Sequence, residues 1–243
     1  MRIRCEDLGS QILILTGGGL LNWAARYYPI LRVLKQHGFL SAGSVLEIGS
    51  GPLGIGTFRK VPFVGCDLSF PPELPKWPMT PVVASAADLP FEDSSFDAVV
   101  ASDVLEHVPA NLRTKVISES LRVARQLVIF GFPCGVPAHE ADTALRDLYT
   151  RKNIDVPVWL EEHMLEQFPG ESLFSDLRNW KVEQFGNENI AFHSWMMRQE
   201  MRDTFVRASN AFRKFTPRLL ERLLRRADKP PYYRQIFALS RQN

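Results

Sequence analysis

The order of strand and helix signals along the chain predicts an α/β fold, a doubly wound and largely parallel sheet with helices on both faces. Three observations carry this expectation. Short apolar runs at residues 44–48, 63–66, 82–84, 96–101 and 126–130 are separated by loops and by stretches of helical periodicity. The first run closes on a glycine-rich loop, Gly49-Ser-Gly-Pro-Leu-Gly-Ile-Gly56, of the kind that joins a strand to a helix in such sheets. The second run ends on an acid, Asp67, 18 residues beyond Gly49.

Taken in order, residues 29–37 read as a short amphipathic helix. Pro29 suits a first helical position, apolar residues recur at helical spacing, and Gly38 supplies a left-handed cap. The strand at 44–48, the glycine loop with a brief helix, and the strand at 63–66 follow. Residues 71–81 carry five of the 17 prolines, so an irregular extended connection is expected there in place of a helix. Strands at 82–84 and 96–101, a helix over 111–124 and a strand at 126–130 complete the alternation. Beyond Pro133, residues 134–178 read as irregular and partly helical, and 180–185 as a sixth strand. Residues 191–226 form a long helical stretch broken at Pro217, and 232–239 a final strand. There is no internal repeat.

At 243 residues, 45% hydrophobic and 23% charged, the chain has the apolar content for one enlarged domain, which excludes global disorder. A net charge of +2 gives no overall mandate for nucleic acid. Cys5, Cys66 and Cys134 show no CxxC spacing and leave one thiol unpaired, so neither a zinc knuckle nor a secreted disulfide framework is indicated and a cytoplasmic setting is expected. The apolar run Ile12-Leu-Ile-Leu15 superficially resembles a signal peptide, but Glu6 and Asp7 precede it and glycines interrupt it. No apolar stretch reaches the ~20 residues a membrane span needs.

Gly49-Ser-Gly51-Pro-Leu-Gly54 matches G-x-G-x-x-G after a strand, and Asp67 stands near the spacing of a ribose-binding acid, which by pattern alone reads as a dinucleotide site. Two details oppose a pyrophosphate: Glu47 lies just before the loop, and Pro52 removes a backbone donor. The loop fits a ligand of little negative charge.

At these residues the sequence resembles the class I methyltransferase family, whose cofactor is S-adenosylmethionine. Val45-Leu-Glu47-Ile-Gly49-Ser-Gly51 looks like its first motif. Ala87-Asp88-Leu-Pro-Phe-Glu-Asp-Ser-Ser-Phe-Asp97-Ala-Val-Val, followed by Ser102-Asp-Val-Leu-Glu-His107-Val, is similar to motifs of the branch that includes ubiquinone and menaquinone methyltransferases. The resemblance covers about residues 44–133. It implies a Rossmann-like, seven-stranded, mostly parallel sheet with an antiparallel last strand and helical substrate-cap insertions. The expected organisation is one domain over 1–243, with an N-terminal helical cap at 1–40, a cofactor half at 41–133, and substrate caps at 134–178 and 190–230.

Carried over by position, the resemblance implies that Gly49, Ser50 and Gly51 approach the cofactor through the backbone and that Glu47 lies near its amino acid end. Asp67, with Leu68 beside it, would accept from the ribose hydroxyls; Asp88 would receive the adenine amino group, the backbone of Leu89 would read the ring edge, and Ser102 would line the floor. Glu106 and His107 stand between two readings, a role near the substrate or simply the start of the following helix. Residues 17–28 are expected to fold over the cofactor, with Trp23, Tyr27 and Tyr28 able to face a sulfonium.

Methyl transfer is an in-line displacement that needs alignment and exclusion of water, with a general base if the acceptor is a hydroxyl or protonated amine. His139 and His163, in the stretch after the fifth strand, are the candidate catalytic bases; His37 reads as exposed or capping and His193 as packing. The clusters His139-Glu-Ala-Asp142 and Glu161-Glu-His163 match no zinc signature, so no metal is expected. The acceptor is expected to be a small molecule, with lipid-linked and saccharide metabolites in view. A nicotinamide-dependent oxidoreductase and a catalytically idle cofactor-binding scaffold are the rivals.

Residues 198–229 hold ten basic and four acidic side chains, a net +6 that leaves the remainder about 4 negative. Phe205, Phe212, Phe215, Leu219, Leu220, Leu223 and Leu224 lie between the arginines, so the segment reads as cover for the core, as a peripheral contact with an anionic membrane, or as a reach to an anionic substrate; nucleic acid is disfavoured.

Overall fold

A computed structural model describes residues 20–74, 78–175 and 177–242. Seven strands, β1 (Val45–Ile48), β2 (Phe63–Asp67), β3 (Met79–Val83), β4 (Phe96–Ser102), β5 (Ala124–Pro133), β6 (Trp180–Asn189) and β7 (Tyr232–Arg241), form one sheet in the order β3-β2-β1-β4-β5-β7-β6. The first five are mutually parallel, and β7 runs antiparallel between β5 and β6. This is the expected Rossmann-like sheet with its antiparallel last strand.

β1 is buried throughout and β4 at every position but Asp97, because each lies inside the sheet with helices over both faces; their near-continuous apolar runs reflect this. On one face α2 (Ala110–Val123) sets Val116 and Ile117 against Leu46, Val99, Val128 and Phe130. On the other, α1 (Leu20–Gln36) presents Trp23, Tyr27, Ile30 and Leu34, a stripe at helical spacing, to Val45, Val100, Leu127 and Ile129.

α1 corrects one expectation: Pro29 lies inside the helix, not at its start. A proline there leaves the carbonyl four residues earlier without its helical donor. That carbonyl belongs to Ala25, and Asn187 Nδ2, at the end of β6, donates to it at 3.4 Å. The fold thus supplies from another element what the helix lacks.

The third strand begins earlier than predicted and contains Pro81, which is tolerated because β3 is an edge strand. Residues 134–178 are more regular than expected. They hold α3 (Gly135–Arg151) and α4 (Val158–Glu162), although the sequence there lacks a clean stripe. The stretch after β6 divides into α5 (Ile190–Glu200), α6 (Asp203–Phe215) and α7 (Pro217–Ala227). Pro217 opens α7, and an unpredicted break falls at 201–202. The Asn189 side chain caps α5 by accepting from Ala191 and Phe192 N–H. α5 and α7 cover α1 through Met196, Leu220 and Leu224 against Leu21, Ala24 and Ala25. Among the described residues no helix is long and apolar enough to cross a membrane.

Candidate active site

The sheet order reverses between β1 and β4, and open α/β sheets form their crevice beyond the carboxyl ends of the strands at such a point. A cavity of about 390 Å³ lies there, with Gly49, Asp67, Leu68, Ala84, Ser85, Asp103, Val104, His107 and Leu112 among its lining residues. Its size is within the range of small-ligand sites. Gly49 has φ +67, and a Cβ on it would fall 2.4 Å from Val104 Cγ2, so a side chain would strain the backbone and crowd the wall. Asp67 Oδ2 accepts from Gly51 N–H at 2.8 Å and Oδ1 from Leu68 N–H at 2.7 Å. These bonds leave each carboxylate oxygen a further lone pair for a ligand hydroxyl.

Glu47 is buried and does not line this cavity. Oε1 accepts from the Tyr27 hydroxyl at 2.6 Å and Oε2 from Ile55 N–H at 2.6 Å, so the acid anchors the loop instead of facing the crevice. Burial pushes its carboxyl up to about 7, against the opposing effect of those two hydrogen bonds. Gly54, at φ +48, leaves room for it: a Cβ there would lie 2.2 Å from Glu47 Oε2. Ser50 is likewise buried, its hydroxyl turned to the Gly51 carbonyl.

Three other positions assigned to cofactor binding are not brought to the cavity. Asp88 is exposed in the turn after β3, its N–H bonded to the Ser85 carbonyl. The Leu89 N–H, which was expected to read a ring edge, already donates to Glu119 Oε2 at 2.9 Å. Ser102 is buried, with its Oγ lacking a hydrogen-bond partner and lying near Gly131.

A second, polar cavity of about 120 Å³ adjoins the first and shares Asp103 and His107 with it. Arg26, Glu106, His163, His193, Tyr233 and Arg234 are also in its wall. Asp103 sits at φ 51 just after β4 and takes Arg234 Nε at 2.8 Å and Nη2 at 2.9 Å, together with Arg26 Nη1 at 3.2 Å. Burial opposes its ionisation, but the two guanidinium groups prevail and hold its carboxyl well below the usual carboxylate range. Arg234 also reaches Glu188 Oε2 at 2.6 Å. Glu106 is buried with neither oxygen partnered, and burial followed by the charge of Asp103 pushes its carboxyl well up.

The two candidate bases part company. His139, half-buried on α3, packs edge-on against Phe168 at 5.3 Å and lines neither cavity. His163, immediately after α4, is buried in the polar cavity, with Nδ1 2.6 Å from Asp142 Oδ2 and Nε2 unpartnered. Asp142 also accepts from the Tyr233 hydroxyl at 2.8 Å. His193, expected to pack, does stack on Tyr233 at 3.5 Å between ring centroids, and it lines the same cavity. His37 is exposed, as expected. Gly17 to Gly19, and with them part of the expected N-terminal cap, lie outside the described residues; Tyr27 is turned to Glu47.

Sequence reasoning missed Arg26, Asp103, Glu188 and Arg234, and it weighed Asp142 only as a metal ligand beside His139, not as the partner of His163. One signal was present: Arg234 falls on the same alternate face of β7 as Ile236 and Ala238, and a charge on an apolar strand face asks for a buried partner.

A family model described as a methyltransferase domain matches residues 61–130. No curated protein matches the chain. Among solved structures, magnesium protoporphyrin IX methyltransferase from Synechocystis PCC 6803, with bound S-adenosylhomocysteine, aligns at a TM-score of 0.50 and 11% identity, over 100% of this chain and 90% of that one. The MccD protein aligns at 0.44 and 13%, over 88% and 97%. Haemonchus contortus phosphoethanolamine N-methyltransferase 2 aligns at 0.46 and 15%, over 88% and 52%. At 11% identity the likeness to the Synechocystis enzyme shows the fold alone, the Rossmann-like sheet of methyltransferases.

Proposed function

We propose that this chain is an S-adenosylmethionine-dependent methyltransferase acting on a small-molecule acceptor. The observation that carries the reading is the common wall: the crevice at the strand ends and the polar cavity share Asp103 and His107. A donor in the first and an acceptor in the second would meet there, the alignment that displacement requires. The residues fit the cofactor. Gly49 permits close backbone approach, Asp67 keeps acceptor capacity for ribose hydroxyls, and Val104 and Leu112 offer an apolar wall to a purine. The bound cofactor would supply an electrophilic methyl group on a sulfonium.

The chain's own residues do the rest. Asp103, clamped by Arg26 and Arg234, is held ionised and in a fixed place at the common wall. The Asp142 carboxylate fixes the His163 ring with Nε2 unpartnered in the polar cavity, on the acceptor side. Calorimetric titration with S-adenosylhomocysteine and, separately, NAD tests the cofactor: binding of NAD alone overturns the reading. Labelled S-adenosylmethionine incubated with a small-molecule extract tests the activity, and cofactor binding without transfer to any acceptor favours the idle scaffold.

Peripheral membrane contact through 198–229 belongs to the same proposal. Leu220 and Leu224 of α7 are spent on α1, whereas Phe215, Leu219 and Leu223 are exposed between Arg218, Arg222 and Arg226. An apolar stripe flanked by arginines suits an anionic bilayer surface.

A further inference from the structure

Three side chains of the polar cavity come from two distant parts of the chain: Glu106 and His107 from the turn after β4, and His163 from the end of α4. One ligand atom from each lies within 4.8 Å of the other two. Glu106 and His163 are more than nine-tenths buried, yet both Glu106 oxygens and His163 Nε2 have no hydrogen-bond partner. Unpartnered buried oxygens are costly, and the two imidazoles within reach offer lone pairs as readily as protons, so the three groups leave a ligand unsupplied.

The rings are held from behind. His163 Nδ1 lies 2.6 Å from Asp142 Oδ2, and His107 Nδ1 lies 2.8 Å from Glu162 Oε2. When Nδ1 of each ring gives its hydrogen to a carboxylate, the Nε2 lone pair is left for a ligand, the arrangement found behind metal-ligating histidines. Asp142 is itself fixed by the Tyr233 hydroxyl at 2.8 Å.

We propose that Glu106, His107 and His163 form a binding site for one divalent first-row transition ion, of the zinc or ferrous class. Two imidazoles and one carboxylate favour these ions over magnesium or calcium, which prefer all-oxygen ligands. Three protein ligands leave coordination positions open, as in catalytic metal sites. An ion bonded at about 2.1 Å keeps its ligand atoms roughly 3–3.5 Å apart, so binding would draw the three groups inward by about 1 Å. The open positions face the cavity that adjoins the strand-end crevice. Placing the ion on the acceptor side rests on the methyltransferase reading, and it narrows the acceptor to molecules that present an oxygen donor to a metal; the ion site itself does not depend on that reading. The local sequence hid the cluster because its ligands are 56 residues apart.

The test is direct metal binding by the full chain. Protein stripped with chelator and dialysed is titrated with Co²⁺, followed by visible absorption, then with Zn²⁺ in competition, and bound metal is counted by elemental analysis. One ion per chain is expected, with affinity at least tenfold weaker in Glu106→Gln and in His163→Gln. Glu162→Gln alters a partly exposed residue behind His107 and should preserve the fold while also weakening the ion. Absence of binding at micromolar metal overturns the proposal, as does full-affinity binding in all three variants. S-adenosylhomocysteine titrated into the same samples separates the readings: cofactor binding without metal sinks this site alone, and metal without cofactor binding sinks the methyltransferase alone.

Discussion

The phenol of Tyr27 donates to the carboxyl of Glu47 at 2.6 Å, with both side chains buried, and so ties α1 to the strand that leads into the glycine loop. Removing the hydroxyl leaves Glu47 Oε1 buried and unsatisfied, a loss of about 1–3 kcal/mol. Tyr27→Phe should therefore lower stability by that amount in urea denaturation. A change under about 0.5 kcal/mol would mean that water or another donor replaces the phenol.

The same carboxyl gives stability a pH dependence. Its folded value of about 7 lies above the ordinary 4.5, with burial prevailing over Tyr27, Ile55 N–H and the Arg26 charge, and with Asp67 adding to the rise. The folded state therefore holds a proton that the unfolded chain releases first. The contribution is fully present below about pH 4.5 and is lost as pH rises through about 7. Glu47→Gln, which never ionises, should lack this loss. Relative to the variant, the wild type should weaken by on the order of 2–3 kcal/mol between pH 5 and 8. Parallel stability profiles for the two proteins would contradict the assignment.

Gly49→Ala places a methyl group 2.4 Å from Val104 Cγ2 at a backbone φ of +67. Strain of about 1–3 kcal/mol is expected in the folded state. Because the residue lines the crevice, S-adenosylhomocysteine affinity should fall at least tenfold by calorimetry, equivalent to about 1.4 kcal/mol. Gly38→Ala, at an exposed glycine with open space around it, provides the contrast: strain without loss of binding.

The Asn187 amide and the Ala25 carbonyl freed by Pro29 should couple energetically. Asn187→Leu leaves that carbonyl buried without a donor, costing about 1–3 kcal/mol. Pro29→Ala restores an N–H one turn away, so the cost of Asn187→Leu in that background should shrink. A double-mutant cycle in denaturant measures the coupling, and a zero value contradicts the link.

Replacing Phe215, Leu219 and Leu223 together by Ser removes the exposed apolar stripe and leaves every arginine in place. Flotation with anionic vesicles should recover the wild type and much less of the triple variant, with neutral vesicles recovering neither. Equal recovery would assign any binding to charge alone.

By itself the sequence determined the sheet, its glycine loop and the acid at the end of β2, since each rests on a local pattern: apolar runs, punctuation by glycine, and a carboxylate at a strand end. It did not reveal that Glu47 faces Tyr27, that the Leu89 N–H is taken by Glu119, or that of the two candidate bases His163 and not His139 lines the polar cavity. Nor did it show α1 running through Pro29, because the compensating donor lies 162 residues away in sequence. The polar cavity belongs wholly to tertiary structure. Asp103 meets Arg234 across 131 residues, and His163 meets His107 across two elements with no shared periodicity. Hydrophobic patterning specifies which faces are buried, whereas the pairing of buried charges depends on which strand ends and helix ends the fold sets side by side.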